Sequence, residues 1–365
     1  MAWKALTRDQ PGAGIGGECS VEMKAIVKAA ERPGVALQRV PVPEPGPEEV
    51  LIRVKTSAIC GTDLHIAQWN AWAQHAGIRL PLVMGHEFCG EVAGVGSRVR
   101  SLKPGDYVAG ETHLPCGECY QCRNGLQHIC KDLKLFGIHR DGCFAEYATI
   151  PELCAYPVPA AIPPRIAAML EPLGTSLRAV LEMDVSGGSV VVIGCGPIGL
   201  FAVASAKALG ASHIIGLDVW EERLGLAQRL GCDITLDPRQ SDVVGHILEA
   251  TGGVGADSIV EASGSAVALE GAFKYLRKGG RCALIGLPST PVRLNVGVDV
   301  VFKEATIIGI HGREMFRTWT RMQQLLTSGL LNVDPVVTHE MPLENCAEGL
   351  ALLEAGKGGK VILVP

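Results

Sequence analysis

The sequence predicts an α/β protein of two domains, a mostly β domain followed by a domain built on a doubly wound parallel sheet. Three observations support this prediction. The length of 365 residues exceeds what one hydrophobic core usually serves. The first third of the chain contains short β-type runs separated by turns that are rich in proline and glycine. From Ser189 onward, apolar strands alternate with helix-length segments, a pattern typical of a parallel sheet covered on both faces.

The mostly β character extends from Met23 to about residue 114. Strands are predicted in LIRVKTSAIC, GEVAGVGSRV and GDYVAG, and Pro- and Gly-rich turns punctuate this region. Residues 1–22 are rich in glycine and polar residues, and they lack the basic start and long apolar run of a signal peptide. We therefore expect residues 1–22 to form a flexible extension before the folded chain.

The middle of the chain alternates strands and helices. SVVVIG precedes the helix PIGLFAVASAKALG, and HIIGLDV precedes the helix EERLGLAQRLG. After SIVEASG, a helix is predicted through ALEGAFKYLRKGG and a strand at RCALIGL. Beyond Gly312, helical patterns in RTWTRMQQLLTSG and ENCAEGLALLEAG precede a closing strand, KVILVP. The strand–helix–strand order predicts parallel strands joined by helical crossovers.

Composition excludes several classes of function. The net charge of −5 gives no electrostatic case for binding nucleic acid or an anionic membrane. The sequence has no run of about 18 uncharged apolar residues, the length that a membrane-spanning helix needs. Thirteen cysteines in a chain without an export signal predict a reducing compartment, so we expect the cytoplasm.

A glycine-rich turn, VVVIGCGPIGL, lies between the first strand of the α/β region and its helix. Gly194, Gly196 and Gly199 have the GxGxxG spacing, which allows a tight turn, a close approach of the backbone to a pyrophosphate, and close helix–strand packing. Asp218 ends the next strand, 19 positions after Gly199, near the usual interval of about 20. Its carboxylate can accept hydrogen bonds from ribose hydroxyls and would repel a 2′-phosphate. The motif thus predicts a Rossmann-type site for NAD rather than NADP, a preference that the nearby Arg223 weakens.

Four cysteines lie close together in the segment CGECYQCRNGLQHIC. Cys116, Cys119, Cys122 and Cys130 have the spacing C-x2-C-x2-C-x7-C. A ferredoxin-type cluster would need a shorter last interval followed by proline, a nucleic-acid finger would need basic surroundings, and a disulfide framework would need an oxidising compartment. The remaining interpretation is a closed zinc site with four thiolates and no position for a substrate.

Cys60, His86 and Glu87 offer a thiolate, an imidazole and a carboxylate, a ligand set that zinc accepts. Three protein ligands leave one position open, as in a catalytic zinc site. However, Cys60 and His86 are 26 residues apart. Spacing alone is equally compatible with a buried cysteine and a hydrogen-bonded core histidine, so both interpretations stay open at this point.

The chain resembles the zinc-dependent medium-chain dehydrogenase family. GHEFCGEVAGVGSRV fits the family signature GHE-x2-G-x5-G-x2-V, and the CGTD segment, the four cysteines and the GCGPIG turn follow in the family's order. The similarity runs from about Met23 to the C-terminus. It implies a GroES-like catalytic domain over residues 23–176 and 313–365, with a structural zinc lobe at about 112–132, and an NAD-binding Rossmann domain over residues 177–312.

The resemblance implies roles for individual residues. The positions that match the family's catalytic zinc ligands are Cys60, His86 and Glu87. Thr62 and His65 match its proton relay, and Asp63 would orient the histidine ligand. Glu171 falls where simple alcohol dehydrogenases have a cysteine ligand and would lie near the metal; alternatively, it is an acidic residue that complements the dipole at a helix start. Besides the glycine motif, the positions that match family contacts with the cofactor are Ile198, Asp218, Arg223, Ile285, Gly286, Leu287, Ile310 and His311.

Within the family, the segments TSAICGTDLHIAQWNAWAQ and IIGIHGREMFRTWTRMQQLLTSGL resemble the branch that acts on L-threonine. The implied reaction is hydride transfer from a secondary alcohol, L-threonine, to NAD⁺, with one catalytic and one structural Zn²⁺ per subunit. A sorbitol-, butanediol- or tetritol-type alcohol is the alternative substrate, because Thr175 and Ser176 stand where the threonine branch usually has an asparagine and a small residue. Since the zinc and relay residues are all present, a noncatalytic relative is disfavoured. The resemblance also implies a homotetramer that takes a small alcohol or amino alcohol as its substrate.

Overall fold

The computed structural model describes residues 21–365, so residues 1–20 of the predicted N-terminal extension lie outside the described residues. The strands are β1 (Glu22–Lys28), β2 (Ala36–Pro41), β3 (Glu49–Ala58), β4 (Leu82–Val83), β5 (Glu87–Val95), β6 (Tyr107–Gly110), β7 (His113–Leu114), β8 (Lys134–Leu135), β9 (Tyr147–Pro151), β10 (Ala155–Pro157), β11 (Ser189–Ile193), β12 (His213–Leu217), β13 (Ile234–Leu236), β14 (Ala256–Glu261), β15 (Leu276–Leu284), β16 (Thr306–Gly309), β17 (Val337–Pro342) and β18 (Lys360–Val364). The α-helices are α1 (Gly61–Gln68), α2 (Ala71–His75), α3 (Tyr120–Arg123), α4 (Pro164–Ala167), α5 (Leu170–Leu181), α6 (Pro197–Ala208), α7 (Glu221–Arg229), α8 (Val243–Ala250), α9 (Ala266–Ala272), α10 (Arg317–Thr327) and α11 (Cys346–Glu354). Among residues 21–365, no helix has both the length and the apolar character that crossing a membrane requires.

The first part of the chain builds a seven-stranded sheet in the order β10-β6-β5-β3-β18-β17, with β9 also paired to β3. From Ile52 to Thr56, alternate side chains of β3 are buried, because one face of this part of the strand packs on the core. The last two strands of the chain, β17 and β18, return to this sheet. The predicted mostly β character of the first region is therefore confirmed.

The middle of the chain builds a six-stranded sheet in the order β13-β12-β11-β14-β15-β16, and every neighbouring pair in it is parallel. All five residues of β11, Ser189–Ile193, are buried, since helices cover both faces of the sheet. The strand order reverses direction between β11 and β14. In such sheets, ligands bind in the crevice beyond the carboxyl ends of the strands at that point.

Two details differ from the predicted elements. The helix predicted through ALEGAFKYLRKGG is wrong beyond Ala272, because α9 ends there and Leu276 begins β15. Gly279 (φ 70°) and Gly280 disfavour a helix in this segment, and pairing with β14 satisfies its backbone instead. The predicted domain boundary after Ser176 falls inside α5, which packs against both α6 and α10.

Candidate active site

Three potential metal ligands converge where β3 ends and β5 begins. Cys60 is the N-cap residue of α1, directly after β3, and Glu87 is the first residue of β5. The antiparallel pairing of the two strands sets Ala58 opposite Glu87. One ligand atom from each of Cys60, His86 and Glu87 lies within 4.8 Å of the other two. The sheet therefore brings together residues that sequence spacing alone could not connect.

The surroundings of this ligand group fit a zinc ion. Asp63 is fully buried, and its Oδ2 accepts a hydrogen bond from the Cys60 backbone N–H at 2.9 Å. Its Oδ1 lies 3.4 Å from His86 Nδ1, and neither of these two buried atoms has any other partner within residues 21–365. An ion bound to the other ring nitrogen would hold Nδ1–H toward Asp63, the usual support of a metal-bound imidazole. Thiolate, imidazole and carboxylate are also donors that zinc prefers.

A buried lysine lies directly behind the carboxylate ligand. Lys360, the first residue of β18, donates from Nζ to Glu87 Oε1 at 2.6 Å, to Glu87 Oε2, and to the Ile59 carbonyl oxygen at 3.0 Å. Burial disfavours the charged lysine, but the nearby Glu87, Cys60 and Glu171 together outweigh burial and raise the pKa of Lys360. Burial also raises the pKa of Glu87, an effect that Lys360 opposes. The ion pair thus fixes the orientation of Glu87 and secures the chain just before Cys60.

The two predicted relay residues lie on the first turns of α1. Thr62 and His65 are three positions apart, which places them on one face of the helix. Thr62 Oγ1 lies 3.8 Å from Cys60 Sγ, beside the ligand group, whereas His65 is exposed. The amide Nδ2 of Asn70 lies 2.7 Å from His65 Nδ1. Because an amide nitrogen can only donate, Nδ1 is the acceptor and the proton of the neutral ring lies on Nε2.

Glu171 lies in the first turn of α5, where it contacts a buried arginine. Its Oε1 accepts a hydrogen bond from Arg313 Nη1 at 2.8 Å. Burial alone would raise the pKa of Glu171, but the positive charges of Arg313, His86 and His113 together outweigh burial, and the pKa is lowered. The charges of His86 and Glu87 also interact with Glu171, although Glu171 is not in the group of ligand atoms.

Arg313 also connects Glu171 to residues of the β domain. Arg313 Nη2 donates to Glu111 Oε1, and the same oxygen accepts from His113 at 2.7 Å. Trp319 Nε1 donates to the other carboxylate oxygen of Glu111 at 2.8 Å. Burial opposes the charge on Glu111, yet Arg313 and His113 lower its pKa to about 2. The sequence analysis did not predict three members of this group, Glu111, Arg313 and Trp319. The sequence offers a signal only for Arg313, a charged residue in the GRE segment that follows an apolar run.

The glycine turn has the shape of a phosphate-binding site. Gly194 has φ 87°, in the left-handed region that favours glycine. A Cβ on Gly199 would lie 1.7 Å from the Gly194 carbonyl oxygen, so α6 can approach β11 this closely only with glycine there. A Cβ on Gly196 would meet only Arg223 Nη1, at 3.9 Å, because this position faces open space. That space is part of a cavity of about 780 Å³ at the carboxyl ends of the strands.

Asp218, which immediately follows β12, lines this cavity and also supports the glycine turn. Its Oδ2 accepts from the Cys195 N–H at 2.7 Å, and its Oδ1 accepts from the Trp220 N–H at 2.9 Å. Arg223 Nη1 lies 3.9 Å from Oδ2. The carboxylate and the open glycine turn fit a dinucleotide that presents its ribose to Asp218 and its phosphates to the start of α6.

The other predicted cofactor positions lie outside the cavity lining. Ile285 and Gly286 follow β15, and both donate their N–H groups to the Glu261 carbonyl oxygen, at 2.9 and 3.0 Å. Leu287 is exposed, and Ile310 is buried directly after β16. The remaining positions not in the lining are Ile198, Gly199 and His311. Because the 285–287 and 310–311 segments follow neighbouring strands, they lie at the same edge of the sheet as the glycine turn.

The four clustered cysteines converge in the lobe between β7 and β8. The Sγ atoms of Cys116 and Cys122 are 4.0 Å apart, and Cys119 Sγ lies 3.5 Å from that of Cys122 and 3.8 Å from that of Cys130. Four sulfurs bound tetrahedrally at the usual zinc–sulfur length would be about 3.8 Å apart. The arrangement therefore fits a zinc site with four cysteine ligands and no open position.

Comparisons with known proteins agree with this geometry. The sequence pattern of the alcohol dehydrogenase GroES-like domain matches residues 46–160, and that of the zinc-binding dehydrogenase family matches residues 197–328. L-threonine 3-dehydrogenase from Bacillus velezensis is 45% identical over 345 residues, which cover 94% of this chain and 99% of that protein.

Solved structures with the same fold include 2R,3R-butanediol dehydrogenase from Bacillus subtilis, which is 28% identical with a TM-score of 0.85 and covers 94% of this chain and 99% of its own. A short chain alcohol dehydrogenase from Escherichia coli, complexed with cofactor NADH, is 29% identical with a TM-score of 0.86 over the same shares of the two chains. Sequence, fold and site geometry lead to one conclusion. The chain belongs to the zinc-dependent medium-chain alcohol dehydrogenase family.

Proposed function

We propose that the protein oxidises the secondary hydroxyl of L-threonine to a ketone, with NAD⁺ as the hydride acceptor. The observation that carries this proposal is the convergence of Cys60, His86 and Glu87 on one point, with ligand atoms within 4.8 Å of one another. The similarity to L-threonine 3-dehydrogenase over nearly the full length of both chains supports the choice of substrate.

Cys60, His86 and Glu87 would hold the catalytic zinc, which when bound supplies a Lewis acid that makes the substrate hydroxyl easier to deprotonate. Bound NAD⁺ supplies the acceptor for the hydride. The chain's own residues bind, orient and move the proton. Thr62 Oγ1, beside Cys60, can accept the hydroxyl proton as it donates its own proton onward, and the exposed His65 ring can take up a proton and release one to solvent.

Glu171 supplies negative charge at the wall of the same site. Arg313 holds one of its oxygens, and Glu171 is not fully buried. We propose that this carboxylate orients the substrate beside the ligand group. The ammonium group of an amino alcohol would complement it, which favours L-threonine over an uncharged polyol.

Asp218 and the glycine motif support NAD rather than NADP. The Asp218 carboxylate lines the cavity, so it would accept hydrogen bonds from the adenosine ribose of a bound cofactor and would repel a 2′-phosphate. Ile198, Arg223 and the segments 285–287 and 310–311 complete the proposed cofactor contacts. The four cysteines of the lobe would hold the structural zinc.

We further propose the division of the chain into a catalytic domain, residues 23–176 and 313–365, and a cofactor domain, residues 177–312. All six strands of the parallel sheet lie within residues 189–309, and β17 and β18 pair in the other sheet, which supports the assignment of the two sheets to these two domains.

A homotetramer in the cytoplasm completes the proposal. Val296, Val298, Val301 and Phe302 expose apolar side chains just before β16, the edge strand of the parallel sheet, and an exposed apolar patch at a sheet edge favours assembly. None of the twelve cysteines within residues 21–365 is paired in a disulfide, which fits a reducing compartment. Sedimentation of the purified protein at several concentrations tests the tetramer.

A diol or polyol is the second candidate substrate, because the fold is shared with 2R,3R-butanediol dehydrogenase at a TM-score of 0.85. The test is kcat/KM of the zinc-loaded protein for L-threonine, 2,3-butanediol, sorbitol and a tetritol, each with NAD⁺ and NADP⁺. We expect L-threonine with NAD⁺ to exceed each polyol by at least about a hundredfold, roughly 2.7 kcal/mol of transition-state discrimination. A polyol that wins by that factor would replace L-threonine as the substrate, and no NADH from any of them would overturn the proposal.

A further inference from the structure

Among the carboxylates of the site within residues 21–365, Glu111 accepts the most hydrogen bonds. It is nevertheless neither a proposed zinc ligand nor a proposed relay residue. Its Oε1 accepts from Arg313 Nη2, from the His113 side chain at 2.7 Å and from the His113 backbone N–H at 2.9 Å. Its Oε2 accepts from Trp319 Nε1 at 2.8 Å. Glu111 has no exposed surface, so it cannot itself contact a substrate.

The guanidinium group of Arg313 donates hydrogen bonds to two carboxylates that differ in their exposure. One terminal nitrogen faces Glu111 and the other faces Glu171 at 2.8 Å. Glu111 is completely enclosed, whereas the Glu171 side chain keeps 14% exposure and has a hydrogen bond on only one oxygen. Arg313 therefore has a fixed end at Glu111 and a second end at the wall of the site.

The backbone approaches this arginine and His113 closely at two glycines. A Cβ on Gly174, one turn after Glu171 in α5, would lie 2.7 Å from Arg313 Cδ. Gly312 has φ 59°, and a Cβ there would lie 2.4 Å from His113 Cε1. Two glycines thus let α5 and the segment after β16 close around the side chains of Arg313 and His113.

We propose that Glu111 is a positioning residue for the dehydrogenase reaction, which it influences only through Arg313 and Glu171. By fixing one edge of the guanidinium, Glu111 makes Arg313 present its other edge to Glu171, and the Glu171 carboxylate is thereby held in one orientation beside the ligand group. Trp319 supports Glu111 through its other carboxylate oxygen. This inference rests on the proposed function, in which Glu171 orients the substrate.

The test compares kcat and KM for L-threonine in the full-length, zinc-loaded enzyme. Glu111→Gln keeps the shape of the side chain but weakens its hold on Arg313, so kcat should fall about 10- to 100-fold. The KM for NAD⁺ and the zinc content should stay within twofold of the wild type. Trp319→Phe keeps the charge of Glu111 and removes one of its hydrogen bonds, so kcat should fall about three- to tenfold. If Glu111→Gln does not fold, Trp319→Phe serves as the test in its place. The control is Glu314→Gln. Glu314 follows Arg313 in the sequence but pairs with the exposed Arg317, so this variant should leave kcat within twofold of the wild type.

A double-mutant cycle shows whether Glu111 acts through Arg313. In an Arg313→Lys background, which lacks the two-edged guanidinium, Glu111→Gln should change kcat by less than about twofold. An equal loss in both backgrounds, or a loss of zinc or NAD⁺ binding that accounts for the lower rate, would overturn the inference. If the wild-type enzyme oxidises none of the alcohols, the proposed function fails instead, so the two failures are distinguishable.

Discussion

The third glycine of the turn gives the sharpest prediction about the cofactor site. In Gly199→Ala, the new Cβ would lie 1.7 Å from the Gly194 carbonyl oxygen and 3.3 Å from Val192 Cγ1. The oxygen belongs to the backbone, so α6 and β11 must separate to relieve the contact. Alanine is otherwise about 1 kcal/mol better than glycine inside a helix, and overpacking costs about 1–3 kcal/mol or more. Because the contact is with backbone, we take the upper end of the overpacking cost and expect a net loss of stability of about 2 kcal/mol.

The same movement displaces the N–H groups at the start of α6, so the Kd for NAD⁺ should rise at least about tenfold, or about 1.4 kcal/mol. Calorimetric melting and isothermal titration with NAD⁺ measure the two effects. The matched control is Gly225→Ala in α7, where a Cβ meets nothing within 4 Å; it should be neutral or stabilise by up to about 1 kcal/mol. If Gly199→Ala binds NAD⁺ normally, or if the two variants behave alike, our interpretation of the turn is wrong.

Three further predictions concern buried charges. Lys360→Met leaves Glu87 without its cation, so the melting temperature should fall by the equivalent of about 3–5 kcal/mol of stability. The double variant Lys360→Met with Glu87→Gln should recover part of the lost stability, and no recovery would contradict the pairing of Lys360 with Glu87. The pKa of Glu111 is lowered to about 2, so its stabilising effect is complete above its unfolded pKa of about 4.3 and is lost as the pH falls toward 2. Acid melts of wild type and Glu111→Gln should therefore converge over that range, and a constant difference would contradict the pKa. Asp218→Ala should lower the NAD⁺ to NADP⁺ ratio of kcat/KM at least about tenfold, and an unchanged ratio would exclude Asp218 as the discriminating residue.

Local patterns predicted the parts of the fold that depend on neighbouring residues. The GxGxxG spacing and the apolar run before it predicted β11, the turn and α6, because strand, turn and helix are contiguous. The helix predicted through the KYLRKGG segment failed for a related reason. Its local pattern is helical. However, the segment Leu276–Leu284 pairs with β14, which lies earlier in the sequence, and this pairing makes the segment a strand.

Apart from the contact between Glu111 and His113, the contacts of the site that sequence did not predict are long-range. Lys360 is 273 positions from Glu87, and Arg313 is 202 positions from Glu111 and 142 from Glu171. No periodicity in the sequence connects residues so far apart. In addition, the residue type alone does not show whether a lysine or an arginine is buried or exposed. The ligand set itself became a prediction only through the family resemblance, since Cys60 and His86 come together through the pairing of β3 with β5.

Zinc stoichiometry, measured together with L-threonine-dependent NADH formation on the same samples, tests the central claim most directly. We expect two zinc ions per wild-type chain and one in Cys60→Ser, which should keep its fold and lose turnover. Cys116→Ser should lose the other zinc, with stability falling first and activity following from it. The account would be contradicted if Cys60→Ser kept both zinc ions and its activity, or if Cys116→Ser kept its fold and its zinc but lost turnover.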